Sequence, residues 1–161
     1  MPRVSQAEAA KTRQKIIEVA FDIIMNEGFE NFTFSKVTKR VGITRSGINA
    51  HFKLKSDLLA ELTPLFSAII SKPLIFSSPE LFFTSWVYAI NNNNEFIKAI
   101  VNAEPVIPKS SGLNRLLSKI KGDSKEVECC IYMSIGYAVM NLPNAETLNA
   151  TRTDDTKSSD R

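Results

Sequence analysis

Residues 33–52 read Thr33-Phe34-Ser35-Lys36-Val37-Thr38-Lys39-Arg40-Val41-Gly42-Ile43-Thr44-Arg45-Ser46-Gly47-Ile48-Asn49-Ala50-His51-Phe52. Val37 and Val41 stand at i and i+4, which marks the buried side of one short helix, Phe34 to Val41. Ile48 and Phe52 repeat that spacing on a second, Arg45 to Phe52. Gly42-Ile43-Thr44 between them offers a residue tolerant of positive φ, an apolar plug and a helix cap. Thr33 caps the first helix in the same way. Two short helices held at a steep angle are expected. The outward side of the second carries Arg45, Ser46 and Asn49, spaced to share one face. Arg suits the O6/N7 edge of guanine and Asn the N6/N7 edge of adenine, so this face is suited to a DNA major groove.

Charge agrees with that reading. Residues 1–57 hold ten Lys and Arg against six Asp and Glu, while residues 58–161 hold ten against eleven. Between Glu30 and Asp57 there is no acid, but there are Lys36, Lys39, Arg40, Arg45, Lys53 and Lys55. A local basic stretch is the electrostatic footprint of a nucleic-acid surface.

Upstream, Ile16, Ile17, Ala20, Phe21 and Ile24 define one face of a helix from about Ala7 to Asn26. Gly28 is placed to end it in the left-handed conformation. A fourth helix starts near Lys55, with Pro64 inside it expected to kink it. Downstream, Ser78-Pro79-Glu80 combines a cap, a proline suited to the first helical position and an acid favoured by the helix dipole. That helix should run to about Asn92, where four consecutive asparagines, Asn91 to Asn94, signal a turn. Further helices are expected at 95–103, 112–121 and 124–142. The polar stretch 143–161 is expected to be a disordered tail.

From Thr12 to Leu59 the chain resembles the TetR family of transcriptional regulators. The matching features are Thr12-Arg13 with Ile16 and Ala20, the Gly28-Phe29 turn followed by Thr33, then Val37, Gly42-Ile43-Thr44, Ile48 and Phe52. Lys55-Ser56-Asp57-Leu58-Leu59 resembles the family's opening of helix four. The chain departs from the family with Asn49 in place of a common Tyr, and with Leu54 in place of a capping Ser, so that either Ser56 caps one turn late or the helix start is less stable. The resemblance implies an all-α protein: a three-helix DNA-binding head at 10–70, with its helix-turn-helix at 33–52, and a helical effector-binding and dimerisation body at 71–142. It implies double-stranded DNA as partner, met by Thr33, Thr44, Arg45, Ser46, Gly47, Asn49, His51 and Lys55.

The body carries no family motif and is shorter than most in the family. Phe76, Phe82, Phe83, Trp86, Tyr88 and Phe96 are aromatic enough to line an apolar pocket. Phe82, Phe83, Trp86 and Phe96 are the candidates for holding a small apolar effector. In 124–142, Cys129, Tyr132, Met133, Gly136, Tyr137 and Met140 form a broad apolar stripe, with Ile131, Ile135, Val139 and Leu142 on much of the other side. A helix apolar nearly all round can pack one side on its own body and the other on a partner. Tyr132, Met133, Gly136, Tyr137 and Met140 are therefore the candidates for a homodimer seam.

The expectation is a dimeric repressor on a near-palindromic operator, released by a small effector. The alternative is a shortened regulator that acts through a partner without sensing a ligand. No paired carboxylates, glycine-rich phosphate loop or metal-ligand spacing point to an enzyme or a cofactor, and His51 is the single histidine. The adjacent Cys129 and Cys130 read as small apolar residues in a reducing compartment. The first residues form no apolar leader, and the longest nearly apolar run, Ile131 to Leu142, is too short to span a bilayer. A cytoplasmic protein off the membrane is expected.

Overall fold

The computed structural model describes residues 5–107 and 109–150. They are all helical or connecting, with no strand among the described residues. The helices are α1 (Gln6–Glu27), α2 (Phe34–Val41), α3 (Arg45–Asn49), α4 (Lys55–Ser71), α5 (Pro79–Asn92), α6 (Asn94–Asn102), α7 (Lys109–Lys119), α8 (Ser124–Asn141) and α9 (Ala145–Ala150). A single 3₁₀ turn, Phe29–Asn31, joins α1 to α2. Two compact units result, and the division falls between Leu65 and Phe66, inside α4 rather than at the expected 70/71.

The first unit is fixed by local chemistry. Ser5 and Glu8 form a reciprocal capping box at the start of α1. Gly28 ends it at φ 92° and ψ 159°, a region open essentially only to glycine. It is therefore not the left-handed helical conformation expected there. Gly42 does take that conformation, at φ 80° and ψ 36°, and its N–H donates to the Thr38 carbonyl at 2.9 Å. A Cβ on Gly42 would meet nothing within 4 Å, so the requirement there is conformational rather than steric. Ile16, Ala20, Ile23, Ile24, Phe32, Val37, Ile48, Leu58 and Leu62 are fully buried and make the core of this unit.

One boundary and one cap differ from expectation. α3 stops at Asn49, because the His51 N–H bonds the Ile48 carbonyl in a tighter turn, which then carries the chain to Phe52. At the start of α4 the Asp57 carboxylate, and not Ser56, makes the capping contact: it accepts the Leu54 N–H at 3.0 Å, the half of a capping box that needs no side-chain oxygen at Leu54. α4 itself continues through Pro64 to Ser71.

The second unit is built on α5 against α8. Phe82, Trp86, Ala89 and Ile90 of α5 share a buried cluster with Val127, Cys130 and Ile131 of α8. Trp86 donates its indole N–H to the Ser134 carbonyl at 2.9 Å, which lets the ring be buried without an unpaired donor. Of the asparagine run, Asn93 alone breaks the helix. Its N–H closes α5 on the Ala89 carbonyl, and its side chain accepts the Phe96 N–H to open α6. Residues 145–150, expected within a disordered tail, form α9 instead. Asn144 caps it by accepting the Thr147 N–H at 2.7 Å, and Asn149 reaches the buried Asn102. The rest of that tail, 151–161, lies outside the described residues. No helix among the described residues is long and apolar enough to cross a membrane.

Candidate nucleic-acid interface and ligand cavity

α3 is held by its inner side and free on its outer one. Ile48 is fully buried, whereas Arg45, Ser46 and Asn49 are exposed. Thr44 caps the helix by accepting the Gly47 N–H at 3.1 Å, and its hydroxyl lies 2.9 Å from that of Ser46. Arg45 places its guanidinium 4.8 Å from the centre of the Phe34 ring, which supports it from α2. Lys55 lies 4.7 Å and 4.6 Å from the ring centres of Phe29 and Phe32. Phe32, Thr33, Phe34, Arg45, Lys53, Leu54 and Lys55 line one shallow hollow on the first unit. Arg45, Lys55 and Thr33 are thus brought together. Thr33 accepts the Lys36 N–H as the cap of α2, which leaves its own hydroxyl proton to donate. Gly47 sits in the first turn of α3, while half-buried His51 lies two residues past its end.

The basic stretch is smaller than its residue count suggests. Lys36 and Arg40 both pair with Glu27 of α1, and Arg40 also approaches Asp22 at 3.4 Å. Burial acts to raise the Glu27 carboxyl, but hydrogen bonds from Lys36 and Arg40 outweigh it and hold the group below its ordinary range. Those two cations therefore serve to fasten α2 to α1. Lys39, Arg45, Lys53 and Lys55 are the exposed cations left in that stretch. The signal was available in the sequence: Lys36 and Arg40 are one helical turn apart, with Asp22 and Glu27 on the preceding helix. Arg13, of the Thr12-Arg13 pair, bonds Glu61 at 2.7 Å and lies over the Phe52 ring at 4.9 Å.

The second unit contains a cavity of about 700 Å³. Of the four aromatic residues expected to line a pocket, only Trp86 does. Phe82 and Phe96 are fully buried core residues that pack on Trp86, with ring centres 5.9 Å and 5.5 Å away. Phe83 lies edge-on to Tyr137. The remaining wall comes from Ile100, Ile107, Leu116, Ala138 and Leu142, with Glu104, Arg115 and Lys119 as its charged members.

The outer face of α8 is apolar and open. Tyr132, Met133 and Met140 are 62%, 56% and 82% exposed, and Gly136 has no neighbour within 4 Å of where a Cβ would stand. Tyr137, expected with them, faces inward: it packs against Phe83 and its hydroxyl accepts the Asn91 side-chain N–H at 2.7 Å. Val139, expected on the inner side, is 76% exposed. The buried row Val127, Cys130, Ile131 and Ser134 continues at i+3 and i+4 to Tyr137 and Ala138, which fixes this phase. Cys130 is buried in that row, and burial pushes its thiol up, whereas Cys129 is exposed. No metal-binding group of His, Cys, Asp and Glu occurs among the described residues.

Residues 16–62 match the family of bacterial regulatory proteins, tetR family. The chain is similar to three regulators of the helix-turn-helix type. It is 36% identical over 72 residues to AcrR of Shigella flexneri, covering 45% of this chain and 34% of that one. It is 34% identical over 59 residues to SrpR of Pseudomonas putida (37% and 28%). It is also 34% identical over 59 residues to TtgW, an uncharacterised regulator of Pseudomonas putida (37% and 44%). The match thus spans less than half the length of each relative. The head of this chain is a TetR-family helix-turn-helix domain.

Proposed function

We propose that this chain is a DNA-binding transcriptional repressor that occupies a near-palindromic operator as a homodimer and is released by a small molecule. The observation that carries this reading is the open face of α3: Arg45, Ser46 and Asn49 exposed opposite buried Ile48, with Lys53 and Lys55 beside them. A guanidinium and a carboxamide on one short helix are groups that read base edges, while neighbouring ammonium groups neutralise phosphates. The relatives above are named as transcriptional regulators, which supports the same role. The exposed apolar face of α8 supports a dimer, since Tyr132, Met133 and Met140 would otherwise stay in water. A two-fold dimer would set its reading helices about 34–36 Å apart and so require half-sites one DNA turn apart.

The test is selection of random duplex DNA on the full chain, followed by footprinting of the enriched site. The expected result is a near-palindrome, bound more weakly by orders of magnitude as salt rises from about 50 to 200 mM. No enrichment over the starting pool would overturn the reading.

A further inference from the structure

The cavity of the second unit is apolar over most of its wall, yet it carries two cations. Trp86, Ile100, Ile107 and Leu142 supply hydrocarbon and indole surface. Arg115 and Lys119 stand four residues apart on α7 and so share a face of that helix. Lys119 places its ammonium 3.4 Å from the hydroxyl of Ser71 on α4. Ser67, one turn earlier on α4, also lines the cavity and offers a second hydroxyl donor. Glu104 is the one carboxylate among the residues lining it. The wall is thus set for a molecule with a long apolar body and one negatively charged head. A neutral occupant would offer these two side chains no counter-charge, and a cationic one would be repelled by both. We infer that this cavity takes a single-headed anionic amphiphile, with Arg115 and Lys119 as the pair that recognises its head. This rests on the reading of the cavity as the effector site, and it replaces the wholly apolar effector expected from the aromatic residues.

The size agrees: ligand cavities of about 300–1,000 Å³ with apolar walls and a few placed polar groups are the common form of small-molecule site. Arginine is the side chain best shaped to bind a carboxylate through two parallel hydrogen bonds, with lysine beside it as a point charge.

Trp86 is the only tryptophan of the chain and lines the cavity, so its fluorescence reports occupancy directly. The experiment titrates the full chain with dodecanoate, dodecanol and dodecyltrimethylammonium below their aggregation concentrations. Dodecanoate is expected to saturate one site per chain and to bind at least about tenfold more tightly than dodecanol, with the ammonium weakest. The exposed pair makes the variant R115Q/K119Q safe for folding. In it, dodecanoate should fall to the level of dodecanol, whose own affinity should stay within about twofold. The charge-preserving variant R115K should keep the preference for the anion. Equal binding of dodecanol and dodecanoate would overturn the proposal, as would tighter binding of the ammonium or no saturable signal from any of the three. Operator binding measured without ligand tests the regulator reading independently of the cavity. Its failure would strike the regulator reading and leave the fluorescence result standing.

Discussion

The head and the body of this chain solve the problem of burying a helix face in opposite ways. In the head, α2 and α3 are eight and five residues long, too short to persist alone, and every end is closed by a named group. Thr33 and Thr44 cap the starts, Gly42 turns the corner, and Glu27 ties Lys36 and Arg40. In the body, helices of up to eighteen residues rest on aromatic packing. They leave two unfilled features: a cavity, and the apolar face of α8. The head's short elements carry their own instructions in sequence. The body's long ones rest on apolar packing that carries no comparable local punctuation, and the variants below probe that contrast.

The largest effect is expected at Phe82. Its ring is fully buried, stacked on Trp86 and tilted against Phe76. Phe82→Ala should destabilise the body by about 3–5 kcal/mol, combining lost transfer energy with the void it leaves. Urea unfolding followed by Trp86 fluorescence measures it. A cost of roughly 1 kcal/mol or less would mean that the cavity collapses readily and that the aromatic core is not what holds it open.

Gly136→Arg comes next. The side chain would enter open space on α8, so the fold of one protomer should be unaffected. At a two-fold seam it would bring two like charges together, at a cost of several kcal/mol. Sedimentation should find wild type dimeric and the variant monomeric at micromolar concentration. Operator affinity should drop by more than about 100-fold. A variant that stays dimeric would move the seam away from Tyr132, Met133 and Met140.

Arg45→Ala and Asn49→Ala bear on the head's open face. Each should cost roughly 1–3 kcal/mol of discrimination between the selected operator and a site altered at one base pair. Equal losses on selected and random DNA would remove base reading from that residue. Arg45 carries a second contribution, since its support on Phe34 also fixes where the guanidinium points.

These contrasts also explain what could be read before the structure. The head was legible because its signals are local: a cap, an i/i+4 apolar pair, a glycine and another cap specify α2, the turn and α3 almost completely. What escaped there was pairing over distance, as in Glu27 with Lys36 and Arg40, which converts part of an apparent DNA-facing charge into internal fastening. In the body the apolar period is satisfied by more than one arrangement. Phe82, Phe96 and Trp86 carry the same hydrophobic signal, yet only the last borders the cavity. On α8, apolar residues lie nearly all round, so spacing alone grouped Tyr137 with the outward stripe although it packs on Phe83. Asn144 announced α9 with a cap, but in a polar stretch where no apolar period accompanied it.

Lysines with and without a partner should separate cleanly in salt titrations. Lys55 is exposed at the start of α4, where its ammonium can reach a phosphate. Lys55→Ala should flatten the dependence of log affinity on log salt by about one unit per protomer. Lys36→Ala should leave the slope unchanged, because that ammonium is engaged by Glu27. Identical slope changes from both lysines would return Lys36 to the DNA-facing set.

The smallest effect is expected at Glu27 itself. Burial would raise its carboxyl, but Lys36 and Arg40 outweigh that, so the group ionises more readily in the folded head than in the open chain. A carboxylate lowered on folding stabilises at pH values above its unfolded range, and that contribution is lost as pH falls through the lower, folded value. Glu27→Gln removes the charge at every pH. Wild type should therefore exceed the variant at about pH 7, by no more than about 1 kcal/mol for such a partly exposed cluster. The gap should close on acidification as the wild-type carboxyl takes up its proton. Denaturant titrations followed by far-ultraviolet circular dichroism at several pH values measure both. A gap that is constant with pH would mean that Glu27 contributes by packing and neutral hydrogen bonds. The fastening of α2 to α1 would then draw nothing from the charge of Glu27.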